Sequence, residues 1–102
     1  MKRWAGVLAL WVAGAAWGQD VEVRMQDMQF QPAQVHIRVG DNVRWLNTEK
    51  RGYHTVWFQD EGLDESEPLF PGEAWQRSFD LPGRYEYLCG PHPDMRGVVI
   101  VE

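Results

Sequence analysis

The chain has 102 residues, with 10 basic and 15 acidic side chains and a formal charge of −5. That length holds one domain with one modest core, and the acid excess argues against a nucleic-acid partner, whose phosphates would be repelled. A single cysteine excludes any intramolecular disulfide.

The first stretch, MKRWAGVLALWVAGAAWG, differs from everything after it. Lys2 and Arg3 precede an apolar run from Trp4 to Trp17, shorter than the ~20 residues a membrane-crossing helix needs. A basic start, a short apolar run and small residues at Ala16 and Gly18 read as a secretory signal peptide over residues 1–18. Gly14 and Ala16 are acceptable cleavage ends too. Cleavage after Gly18 leaves a single domain, residues 19–102, in the periplasm or outside the cell. It removes two basic residues and no acidic ones, so the formal charge becomes −7.

The rest reads as strands. VEVRM alternates from Val21. VHIRV puts Val35, Ile37 and Val39 on one face, with His36 and Arg38 on the other. Gly40-Asp41 predicts a tight turn into a return strand, NVRWL. YHTVWF is a third apolar run. Residues 59–74, QDEGLDESEPLFPGEA, are irregular, with room for a helical turn between prolines and glycines. WQRSFDL is a fourth run. Leu81-Pro82-Gly83 turns the chain into RYEYL, and GVVIV closes it. Turn signals at such short intervals predict an all-β sandwich or barrel, without repeats or an internal domain boundary. Met25 and Met28 are expected in the core.

One loop carries chemistry. In YEYLCGPHPDM, Cys89, His92 and Met95 lie three apart, stiffened by Pro91 and Pro93. Thiolate and thioether are soft donors that suit Cu(I), and imidazole serves both copper oxidation states. Two His and one Cys in a plane, with a weak axial Met, make the electron-transfer copper geometry. The second His has two candidates. Alternation turns His36 to solvent. His54 opens HTVWF just after Gly52, at an expected sandwich end, and is the better partner.

These segments resemble the cupredoxins, the type 1 blue copper proteins, and among them the small plastocyanin-like and amicyanin-like members. MQFQPAQVHIRVGDNVRWLN resembles their N-terminal hairpin, YHTV the strand bearing the first His, and GRYEYLCGPHPDMRGVVIVE the ligand loop and last strand. The Cys-x-x-His-x-x-Met spacing is that of the short, amicyanin-type loop. The resemblance implies an antiparallel Greek-key β-sandwich with one copper ion near one end, cycling between Cu(I) and Cu(II). It implies His54, Cys89 and His92 as strong equatorial ligands and Met95 as the weak axial one. It implies a monomeric carrier of single electrons between redox proteins, with no small-molecule substrate and no enzymatic activity. The His92 edge would lie in an apolar patch through which the electron passes.

Two residues depart from the family pattern. Thr55 stands where an Asn commonly ties the two ligand loops together; a hydroxyl has less reach than an amide, which predicts a looser surround for the ligands. Asp94 stands where an apolar residue is usual, which makes the docking face more polar. Asp60, Glu61, Asp64, Glu65 and Glu67 form an acidic run over 60–67 that either solvates a loop or docks a basic partner surface. A periplasmic copper storage or delivery protein is the alternative function. Copper oxidases and nitrite reductases need further histidines, and only His36 is spare.

Overall fold

The computed structural model describes residues 18–102. The expected leader lies outside the described residues except for Gly18. Seven strands follow in the described part: β1 Asp20–Gln26, β2 Gln29–Gln31, β3 Gln34–Ile37, β4 Asn42–Asn47, β5 Ala74–Ser78, β6 Gly83–Cys89 and β7 His92–Val101. A single 3-10 turn, Gln59–Glu61, sits in the long irregular segment, where the sequence left room for one.

Two sheets form, in the orders β2-β1-β4-β5 and β3-β7-β6. Both are mixed. β1 runs parallel to β4 and β3 parallel to β7, while the other pairs are antiparallel. The expected sandwich is present, but its sheets are not purely antiparallel. The inner faces supply Val23, Met25, Val43 and Trp45 from one sheet and Val35, Ile37, Tyr87, Val99 and Val101 from the other. Fully buried Trp45 meets the Phe58 and Tyr87 rings edge-on, at centroid distances of 5.8 and 5.2 Å. Edge-to-face packing adds to the burial of such rings.

VHIRV and NVRWL do not form a hairpin. β3 belongs to one sheet and β4 to the other. Alternation settles which side chains point inward, but not which sheet a strand joins. Asp41 lies at the crossing between the two strands. Its carboxylate accepts the N–H groups of Gln19 at 2.8 Å and Arg38 at 2.9 Å. It thereby ties the end of β3 to the chain entering β1, across the sandwich. Val39 has already left the strand and is exposed, against the expectation of a core position. YHTVWF is not a ladder strand either: His54 bridges Leu69 and Trp57 bridges Leu88, each in isolation. Met28 is 51% exposed rather than core, because it sits with φ of 60° in the β1–β2 turn. Met25 is buried and His36 exposed, as expected.

Arg77 on β5 pins the 3-10 turn. It donates to both Glu61 oxygens, at 2.9 and 3.0 Å, with its guanidinium 4.5 Å from the Phe58 and Phe79 rings. One member of the acidic run is thereby neutralised.

The two backbone N–H groups, Arg38 first, hold the Asp41 carboxyl below its ordinary value, against the opposing effect of burial. A lowered carboxylate pKa stabilises the fold above the unfolded value, and that stabilisation drains away as pH falls through the folded value. Asp41→Asn keeps one acceptor where two N–H groups wait. Urea unfolding should show it less stable by about 1–3 kcal/mol at neutral pH. The difference from the parent should narrow as pH falls below the ordinary carboxylate range toward the lowered folded value, where Asp41 itself takes up a proton.

Candidate metal centre

Cys89 ends β6 and His92 begins β7, and the two are paired across Gly90 and Pro91. The loop is thus a tight hairpin turn, and its shortness sets its geometry. A bulge between Leu88 and Cys89 breaks the alternation. Tyr87, Leu88 and Cys89 are consequently all buried. Leu88 exchanges both backbone hydrogen bonds with Trp57, at 2.9 and 3.1 Å, which brings the segment after His54 against the end of β6.

His54 arrives from that segment. It exchanges backbone hydrogen bonds with Leu69, at 3.1 and 2.9 Å, and only 3% of it is exposed. Its Nδ1 lies 3.7 Å from Cys89 Sγ, and His92 Nδ1 lies 3.6 Å from the same sulfur. The three donor atoms all fall within 4.8 Å of one another. Zinc, a first-row ion that takes the same donors, has bonds of about 2.3 Å to thiolate and 2.0 Å to imidazole, which imply about 3.7 Å between sulfur and nitrogen in a trigonal plane. The donor set therefore fits one ion, and its softness fits copper. Met95, on β7, is buried and lines one hollow with His92, Pro93, Asp94 and Met28.

The supports explain the orientations. Glu49 Oε2 accepts the Met28 N–H at 3.0 Å and lies 3.2 Å from His54 Nε2. The Met28 N–H does most to lower the Glu49 pKa, with the His54 bond assisting and burial opposing. An ionised Glu49 only accepts, so His54 carries its proton on Nε2 and turns the Nδ1 lone pair toward Cys89. Asn47, fully buried, holds Glu49 in place: its Oδ1 accepts the Glu49 N–H at 2.9 Å, while its Nδ2 donates to the Leu69 carbonyl at 2.7 Å. Neither Asn47 nor Glu49 stood out in the sequence. The available signal was a carboxylate five positions before a ligand-type His.

Thr55 does tie the loops together. Its N–H points at Cys89 Sγ from 3.4 Å, and its hydroxyl accepts the Gly90 N–H at 2.8 Å. The reach expected of an amide is unnecessary, because Gly90 comes to the hydroxyl. The prolines leave few other backbone donors near the sulfur.

Around the half-buried His92, exposed Met28, Tyr53, Pro91 and Pro93 form an apolar rim. Tyr53 packs on exposed Phe70, with centroids 5.4 Å apart. Asp94 adds a charge at one side only, so the face remains largely apolar. Met28, read from sequence as core, belongs to this rim.

Comparison with known proteins agrees with the geometry. The family model described as copper binding proteins, plastocyanin/azurin family, matches residues 18–102. Amicyanin-alpha of Methylorubrum extorquens is 36% identical over 86 residues, covering 81% of this chain and 72% of the relative. Amicyanin of Paracoccus denitrificans is 37% identical over 86 residues, covering 80% and 65%. The solved structure of a Cu(I) amicyanin mutant superposes with a TM-score of 0.77 at 32% identity, covering 81% of this chain and 82% of the other.

Glu49→Ala should remove the support of His54 and weaken metal retention by about 10- to 100-fold. Glu49→Gln keeps an acceptor oxygen and should stay near the parent. Competition against a graded series of chelators measures both, and equal retention by parent and Ala variant would contradict the assignment.

Proposed function

Because the chain belongs to the plastocyanin/azurin family of copper-binding proteins, we propose that His54 Nδ1, Cys89 Sγ and His92 Nδ1 are the equatorial ligands of its copper ion and Met95 the axial one. The protein is a single-electron carrier with one type 1 copper site, not an enzyme. The two sulfur–nitrogen distances of 3.6–3.7 Å carry the ligand assignment.

Bound copper supplies a one-electron couple between Cu(I) and Cu(II). The chain's part is to keep the donors still while the charge changes. His54 is held at Nε2 by Glu49 and along its backbone by Leu69. Cys89 is completely buried and receives the Thr55 N–H. The hairpin turn fixes His92 relative to Cys89, and Pro91 and Pro93 each restrict φ there. Donors that need no rearrangement lower the cost of electron exchange. The buried sulfur and braced imidazoles favour retention over rapid delivery of the metal, which sets the carrier apart from the delivery alternative.

His92 is the ligand that reaches the surface, and the apolar rim of Met28, Tyr53, Pro91 and Pro93 is where a redox partner would approach it. In the acidic run, Glu61 is engaged with Arg77 and Glu65 with Thr55. Asp60, Asp64 and Glu67 are exposed and make no ion pair among the described residues. Those three would steer a partner with a basic surface. Export through the residue 1–18 leader would place the protein, as a monomer, in the periplasm or outside the cell.

Adding Cu(II) to the purified apo-protein should give an intense blue thiolate-to-copper absorption with narrow hyperfine splitting in electron spin resonance. Cys89→Ser should abolish the colour, and a colourless parent would remove the assignment. Electron transfer to a small cationic oxidant should slow with added salt by up to about tenfold. Replacing Asp60, Asp64 and Glu67 by their amides should flatten that dependence, and an unaltered salt slope would discard the steering role.

A further inference from the structure

The cross-loop tie at Thr55 has a third member. The Thr55 hydroxyl donates to Glu65 Oε2 at 2.7 Å while accepting the Gly90 N–H at 2.8 Å. A hydroxyl has one proton. With that proton committed to a carboxylate, the oxygen faces Gly90 with its lone pairs. Thr55 is 3% exposed, Gly90 is half-buried and Glu65 is exposed, so this small network runs from the buried side of the loop to its surface.

The fold places Glu65 there by a specific device. Ser66, next in sequence, is held on both sides by Val56: its N–H donates to the Val56 carbonyl at 3.0 Å, and its Oγ accepts the Val56 N–H at 2.9 Å. The Ser66 hydroxyl in turn donates to the Glu67 carbonyl at 3.0 Å. Residues 65–67 are therefore registered against 55–56, and the Glu65 side chain reaches the neighbouring hydroxyl. Gly90 completes the fit, since a Cβ at that position would collide with the Glu65 carboxylate. Glu65 is itself exposed, but its carboxylate is turned onto the Thr55 hydroxyl and Gly90, whereas Asp64 and Glu67 form no such contact among the described residues.

We propose that Glu65 is a positioning residue for the Cys89 ligand, a reading that rests on Cys89 binding the copper ion. By taking the Thr55 proton it fixes Thr55 Oγ1 as the acceptor for Gly90, and holds the Gly90 N–H away from the sulfur one residue before it. Cys89 Sγ then receives the Thr55 N–H and not that of Gly90. Each additional N–H directed at a thiolate stabilises its negative charge and weakens its donation to the metal, so this arrangement bears on the reduction potential.

Three variants separate positioning from bare charge. Glu65→Gln removes the charge but keeps an oxygen acceptor for the Thr55 hydroxyl. Glu65→Ala removes both. Glu67→Gln removes a charge from the exposed side of the same loop. Amide hydrogen exchange at Gly90 is read in the reduced holo-protein and again in the metal-free protein. The potential is read in the holo-protein.

The Ala variant should exchange the Gly90 amide about tenfold faster than the Gln variant, in keeping with a lost hydrogen bond. Its potential should lie above that of the Gln variant, which should differ from the parent by no more than Glu67→Gln does. Gly90 exchange in the Ala and Gln variants within about twofold of each other, or equal potentials in the two, would overturn the proposal. A failure of the copper assignment would appear separately, as a parent protein that does not turn blue.

Discussion

The site exists because two segments without a ladder between them are clamped face to face. Residues 54–57 touch the end of β6 and its turn through the Trp57–Leu88 bridge, the Thr55 N–H on Cys89 Sγ and the Gly90 N–H on Thr55 Oγ1. The clamp brings an imidazole from one segment against a thiol from the other. Everything else about the centre depends on that approach. His92 adds nothing to its difficulty, because the β6–β7 hairpin places it beside Cys89.

Around this clamp the polar groups are arranged so that each has one role. Asn47 holds Glu49, Glu49 holds His54, and Glu65 holds Thr55. A buried polar group left unpaired would cost about 1–3 kcal/mol, so each link also protects the one before it. Both glutamates come from loops: Glu49 meets the His54 nitrogen that faces away from the sulfur, and Glu65 meets the Thr55 hydroxyl. The same loops present the outer face of the protein: Met28 beside Glu49, and Asp64 and Glu67 on either side of Glu65. Residues that hold the metal site and residues that would meet a partner therefore alternate along the same short stretches.

Much of this was legible in the sequence, for physical reasons. Period-two alternation marked Val35 and Ile37 as inward, and they are buried, whereas Val39, marked with them, is exposed. It also turned His36 to solvent. Donor softness and spacing singled out Cys89, His92 and Met95, and elimination singled out His54; the donor atoms of His54, Cys89 and His92 lie within 4.8 Å of one another, and Met95 is a buried wall of a hollow that His92 also lines. Alternation could not say that β3 and β4 join different sheets, since it carries no information on pairing partners; the crossing between them is held by long-range bonds, among them those of the Asp41 carboxylate to Gln19 and Arg38. It could not show that 53–58 is extended without being a ladder strand. Met28 was misplaced because an isolated methionine carries no sign of the positive φ that turns it outward. Thr55 was underrated because its hydroxyl works through Gly90 and Glu65, one 35 positions away and the other 10.

The central claim is one copper ion held by one thiolate and two imidazoles in a nearly trigonal plane. X-ray absorption at the copper edge of the loaded protein tests it most directly. The account predicts a single short sulfur scatterer and two imidazole nitrogens, with little change in their distances on reduction. A first shell of nitrogen and oxygen alone, with no short sulfur, would contradict it.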